Sequence, residues 1–149
     1  MEQDSLYHVF NRGNNKQSIF FKRKNYLFFL KKVRSHMLPF VEILSYSLMP
    51  NHFHFLISTD EKFDSKIFSN SFRLMLSSYT RAINKQEERS GSLFQQNTKF
   101  KKLDGNSQAF ICFNYIHQNP LKAGFVETLK GWKFSSYQDF IGLRKWYSL

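Results

Sequence analysis

Pro50-Asn51-His52-Phe53-His54-Phe55 sets two histidines at i and i+2 within a run of strand-forming residues. A period of two turns both imidazoles to one face and Phe53 and Phe55 to the other. Two neutral imidazoles side by side can share a divalent cation, although a solvated strand face would carry the same tripeptide, and two ligands are too few to hold an ion. A second pattern lies in Phe113-Asn114-Tyr115-Ile116-His117-Gln118-Asn119-Pro120. On a helix, Tyr115 and Asn119 stand at i and i+4 on one face, offering an amide oxygen to a metal and a phenol as nucleophile or proton donor. Of the 7 tyrosines, only Tyr115 has an amide four positions on within an expected helix; Tyr7 has Asn11 at that spacing, but on an expected strand. Taken without the histidines, Tyr115 reads as half-buried core and Asn119 as a helix end before proline. His117, two positions from Tyr115, belongs to another side of the helix and is not its base.

These residues need a scaffold, and the rest of the sequence outlines one. Leu6 to Asn11 reads as a strand, followed by the turn-forming Arg12-Gly13-Asn14-Asn15. Tyr26, Leu27, Leu30 and Val33 recur at helical spacing and predict a first helix from about Lys22 to Met37, ended by Pro39. Phe40 to Met49 and His52 to Ser58 predict an antiparallel hairpin across Met49-Pro50-Asn51. Phe68, Phe72, Met75, Leu76, Tyr79 and Ile83 mark a second amphipathic helix that stops at Ser90-Gly91. Phe94-Gln95 and Lys99 to Leu103 read as short strands. A third helix is expected from about Ser107 to Gln118, closed by Asn119-Pro120 because a residue before proline is pushed out of the α region.

The order strand, helix, strand, strand, helix, strand is that of an α+β, ferredoxin-like split βαβ sandwich with an antiparallel sheet. A further C-terminal helix carrying Tyr115 and a short tail are added to it. One domain over residues 1–149 is expected, with a core of about 5–120 and an extension of about 121–149. Trp132, Phe134, Tyr137, Phe140 and Trp146 make that extension read as packed chain. Two helices would cover one sheet face and leave the other for function.

Composition narrows the partner. The 149 residues suit one domain. With 22 Lys and Arg against 11 Asp and Glu, the net charge of +11 points to a polyanion, most often nucleic acid. The 18 phenylalanines exclude a disordered basic tail. A single cysteine, Cys112, excludes an internal disulfide framework and a cysteine metal cluster. The polar opening Met1-Glu2-Gln3-Asp4 is unlike a secretory signal, and no apolar run approaches the roughly 18 residues of a membrane span. A cytoplasmic protein is therefore expected. Arg12, Lys16, Lys22, Lys99, Lys101, Lys102 and Lys122 are candidates to hold a DNA backbone, and Phe10 or Trp132 to stack on unpaired bases.

Four segments together are more specific than any one of them. Tyr7-His8-Val9-Phe10-Asn11-Arg12-Gly13, Met49-Pro50-Asn51-His52-Phe53-His54, Gly91-Ser92-Leu93-Phe94-Gln95 and Tyr115-Ile116-His117-Gln118-Asn119-Pro120-Leu121-Lys122-Ala123-Gly124 resemble, in order, the motifs of the single-tyrosine HUH transposases. The resemblance is greatest to their REP-associated branch. Trp132-Lys133-Phe134-Ser135-Ser136-Tyr137 is similar to the tail of those proteins, so nearly the whole chain is covered. The resemblance implies a nuclease that cuts single-stranded DNA beside a hairpin and joins itself to the cut strand. It implies His52, His54 and Asn119 as metal ligands and Tyr115 as nucleophile. In the insertion-sequence branch the third ligand is usually glutamine, so Asn119 favours the REP-associated branch. Insertion-sequence relatives are dimers and the REP-associated branch looks monomeric, which leaves monomer and homodimer both open.

The chemistry agrees with these residue types. Two imidazoles and an amide leave open positions on Mg²⁺ or Mn²⁺ for a phosphate oxygen and water, and three neutral ligands keep the site cationic. A phenol of pKa about 10 must lose its proton during attack, and the metal charge is the helper the sequence offers. A covalent phosphotyrosine keeps the phosphodiester energy for rejoining. A ferredoxin-like RNA-binding module that stacks bases on its open face also explains the charge and the aromatic residues, but it gives His52 and His54 no role. A zinc hydrolase needs a carboxylate base near the histidines, and the motif region has none.

Overall fold

The computed structural model describes residues 1–124 and 131–137. Its elements are β1 (Leu6–Arg12), α1 (Arg23–His36), β2 (Glu42–Met49), β3 (His52–Ser58), α2 (Ser65–Gln86), β4 (Lys99–Leu103) and α3 (Gly105–Lys122). The strands form one antiparallel sheet in the order β2-β3-β1-β4, the arrangement expected of a split βαβ sandwich.

Side-chain parity divides the sheet into two faces. Val9, Leu48, Phe53, Phe55 and Ile57 are buried under Phe29, Leu30 and Val33 of α1 and Phe68, Phe72, Met75 and Tyr79 of α2. Each helix begins where a side chain satisfies amides that have no partner within the helix. The Asn25 carboxamide oxygen accepts from the Phe21 and Lys22 amides at 3.0 and 2.9 Å, and the Asp64 carboxylate accepts from the Ile67 amide at 3.0 Å. Helix α2 stops at Gln86, ahead of Ser90-Gly91, where Glu88 takes a left-handed φ of 51°.

On the opposite face α3 packs over one end of the sheet, where Leu56 and Leu103 meet Cys112 and Ile116 in a second, smaller core. That face is therefore only partly open. The third helix also runs further than its proline suggests. Pro120 lies inside α3, and the Ala123 amide still bonds to the Asn119 carbonyl at 2.9 Å. In the last turn a proline forfeits one backbone bond, and burial of its ring helps offset that loss. Asn119 thus keeps helical geometry and its place on the Tyr115 side.

Two loops complete the site. The Pro50-Asn51 turn between β2 and β3 is pinned by the segment after β1, since Gly13 donates to the Asn51 carbonyl at 2.9 Å and Ile19 to the Pro50 carbonyl at 2.8 Å. Phe94 makes an isolated bridge to Gly13 and is not part of a strand. Beyond α3, Ser135 bridges Ser47 at the β2 edge, and Phe134 and Trp132 pack on the main core. Trp132 donates its indole N–H to the Leu48 carbonyl at 2.7 Å, an anchor in the fold. Phe140 and Trp146 lie outside the described residues.

Candidate active site

The β1–β3 register places Phe10 opposite His54 and Arg12 opposite His52. His8, Phe10, Arg12, His52 and His54 therefore share the face away from the main core, and Lys99 and Lys101 of β4 join them opposite Phe10 and His8. A cleft of about 610 Å³ opens there, a size suited to a bound ligand. Arg12, Lys16, Lys99, His52, His54 and Tyr115 all line it.

The donor atoms converge. His52 Nε2 lies 2.9 Å from Asn119 Oδ1, and His52 Nδ1 lies 2.7 Å from Asn51 Oδ1. His8 Nε2 lies 2.9 Å from His54 Nδ1. The His52 and His54 rings are 5.1 Å apart and nearly perpendicular. Tyr115, half-exposed on α3, presents its ring edgewise at 5.5 Å from His54 and 6.1 Å from His8. His117 is elsewhere, buried with Nε2 2.6 Å from the Ser136 hydroxyl.

Burial keeps the imidazoles uncharged. It holds His54 down to about 3, with His52 and His8 beside it adding to the effect. It holds His8 down to about 4, helped by Lys101. His52 is lowered by burial and by Arg12, against the opposing effect of its contact with Asn119. Lone pairs on these rings are thus available at neutral pH. Cys112 is buried, with its thiol pushed up to about 11, and offers no thiolate.

The basic residues separate into groups. Arg12, Lys16 and Lys99 reach the cleft, and Lys101 stands next along β4 on the same face. Lys102 pairs across the sheet with Tyr7 on the other face and forms a salt bridge with Glu2. Lys122 is exposed in the last turn of α3, just beyond Asn119, and Lys22 caps the start of α1. Phe10 lies on the cleft wall, tilted against His8 at 4.6 Å.

Sequence reasoning gave no role to His8, Asn51, Gln95 or Asn97. The first two bond the candidate ligands, and the last two line the cleft. The alternation His8-Phe10-Arg12 was the one signal available for His8. Among the described residues no group of three or more His, Cys, Asp or Glu is arranged to hold a metal.

An antiparallel sheet of this order, a histidine pair on the face away from the main core and a facing tyrosine helix define a class. The chain belongs to the IS200-like transposase family, whose model matches residues 2–119. It is 25% identical over 108 residues to a Haemophilus influenzae protein whose name assigns it to the REP-associated tyrosine transposases, which covers 66% of this chain. The chain spans 60% of that relative's length. A solved REP-associated tyrosine transposase bound to a REP hairpin has the same fold, with a TM-score of 0.75 at 19% identity over 97% of this chain and 84% of that one. Among the described residues no helix is long and apolar enough to cross a membrane.

Proposed function

We propose that this chain is a metal-dependent endonuclease and strand transferase for single-stranded DNA that cuts beside a hairpin and becomes joined to the 5′ phosphate through Tyr115. The observation that carries the reading is the meeting of His52, His54 and Tyr115 at one cleft lined by Arg12, Lys16 and Lys99, with Asn119 in contact with His52 behind them. Family membership supports the DNA substrate, and the hairpin bound by the structural relative supports the hairpin.

The donors fit a hard divalent cation. A neutral His52 ring has one N–H, yet both of its nitrogens face an amide oxygen. With Nδ1 donating to Asn51, Nε2 and Asn119 Oδ1 become two acceptors 2.9 Å apart. Turning the Asn119 amide end for end relieves this in the metal-free chain. A hard divalent cation held by both atoms would relieve it with the oxygen in place. His52, His54 and Asn119 would hold Mg²⁺ or Mn²⁺, which when bound withdraws charge from the scissile phosphate.

The chain's own residues supply the rest. Arg12, Lys16 and Lys99 hold the backbone phosphates, and Phe10 offers a ring face to an unpaired base. The Tyr115 oxygen attacks phosphorus, the bond to the leaving 3′ oxygen breaks, that oxygen takes a proton and the phenol loses its own. A 3′ hydroxyl can later attack the phosphotyrosine and restore the diester, so no nucleotide cofactor is required. Binding of RNA on an open sheet face would leave the His52–Asn119 contact without a function. Incubating end-labelled single-stranded hairpins from the gene's flanks with the protein, in Mg²⁺ and in chelator, tests the proposal. Cleavage restricted to the metal reaction supports it, and metal-independent or absent cleavage of every flank contradicts it.

A further inference from the structure

We propose that His8 is a positioning residue for His54, its Nε2 accepting the His54 Nδ1–H and so leaving the His54 Nε2 lone pair free for a cation. The inference rests on the metal-holding role given above to His52, His54 and Asn119.

The geometry is an imidazole pair, His8 Nε2 to His54 Nδ1, at 2.9 Å. One proton lies between these two nitrogens. With the proton on His8, neutral His54 would carry its own proton on Nε2, and its one lone pair would be spent on His8. With the proton on His54 Nδ1, Nε2 is free and His8 keeps its proton on Nδ1. Only the second arrangement leaves His54 a ligand.

His52 offers a parallel. Its Nδ1 faces Asn51 Oδ1 at 2.7 Å and its Nε2 faces Asn119 Oδ1 at 2.9 Å; an amide oxygen can only accept, so a proton on Nδ1 serves Asn51 and leaves the Nε2 lone pair beside Asn119 Oδ1. In both candidate ligands Nδ1 thus meets a neighbouring side chain, and Nε2 is the nitrogen left for a cation. The His8 ring also lies tilted against Phe10, with centroids 4.6 Å apart, and its plane is inclined by 26° to that of His54. The antiparallel pairing of β1 with β3 fixes the two strands that carry this pair. An outer partner of this kind sets the tautomer and orientation of a metal-binding imidazole.

Two measurements test this. In long-range ¹H–¹⁵N spectra of the metal-free wild-type protein, His54 should carry its proton on Nδ1, and His8→Phe should shift it toward Nε2. Calorimetric titration with Mn²⁺ should show binding about 10- to 100-fold weaker in His8→Phe and within about threefold of wild type in His8→Gln, whose amide oxygen restores an acceptor. Thermal melts confirm that both variants are folded, and the wild-type tautomer needs neither variant. A wild-type His54 protonated on Nε2, or equal Mn²⁺ affinity in wild type and His8→Phe, overturns the role of His8. Wild-type protein that binds no Mn²⁺, or binds it unchanged after His52→Ala, overturns the metal reading and this inference with it.

Discussion

His52 Nε2 and Asn119 Oδ1 stand 2.9 Å apart although 67 positions separate them in the chain. A strand end and the last turn of a helix are brought together by the packing of α3 on β2 and β3. If both atoms hold one cation, their removal should differ in degree. His52→Ala removes an imidazole and should abolish cleavage with DNA affinity largely kept. Asn119→Ala should weaken cleavage and raise the Mg²⁺ needed for half activity by about tenfold or more. An unchanged metal titration in Asn119→Ala would make that residue only a helix end.

Charge placement gives a second expectation. Three cationic side chains line the cleft, and each phosphate contact with single-stranded DNA contributes about 0.7 to the slope of log affinity against log salt, so a slope of roughly −2 is expected. Lys99→Ala should weaken binding and flatten the slope by about 0.7, whereas Lys102→Ala, on the opposite face and paired with Glu2, should do neither. Filter binding across a salt series checks this. Equal effects of the two substitutions would contradict the assigned face.

Gly13 is required by space. A Cβ at this position would lie 1.9 Å from the Gln17 carbonyl oxygen, a backbone atom that cannot swing away. Gly13→Ala should therefore distort the turn carrying Lys16 and cost roughly 1–3 kcal/mol, seen as a lower Tm together with weaker DNA binding. A Tm equal to wild type would show that the turn yields freely.

Acid should destabilise the metal-free chain through its buried imidazoles. His117 is held down to about 4 by burial, so the folded chain binds fewer protons than the unfolded one below pH 6.5. Stability is then highest above the unfolded value and falls as pH drops from about 6.5 toward 4, by on the order of 1 kcal/mol for His117 after allowance for solvent screening. Denaturant melts at pH 7 and pH 5 should show the loss, and His117→Asn should make it smaller. A His117→Asn protein with the same pH dependence would contradict this assignment.

Local pattern carried the parts of the site that lie on one element. The alternation of His52 and His54 with Phe53 and Phe55 follows from strand parity, and the phenylalanines are indeed buried. Tyr115 and Asn119 follow from helical spacing. Contacts between elements were not legible. His8 needs the β1–β3 register to reach His54, and Lys102 differs from Lys99 and Lys101 only through the exact phase of β4. The continuation of α3 through Pro120 depends on tertiary burial, which the local preference of a residue before proline does not include.

In the proposed reaction the Tyr115 oxygen becomes bonded to phosphorus. A single-stranded substrate labelled separately at its two ends, incubated with protein and Mg²⁺ and run on a denaturing gel, tests it most directly. Wild-type protein should form a slow-migrating species bonded to the 5′ phosphate of one fragment and leave a free 3′ hydroxyl on the other. Tyr115→Phe, which keeps the ring and loses the oxygen, should bind the same DNA and form no such species. Adduct formation by Tyr115→Phe, or cleavage by wild type that releases two protein-free ends, would rule out Tyr115 as the nucleophile.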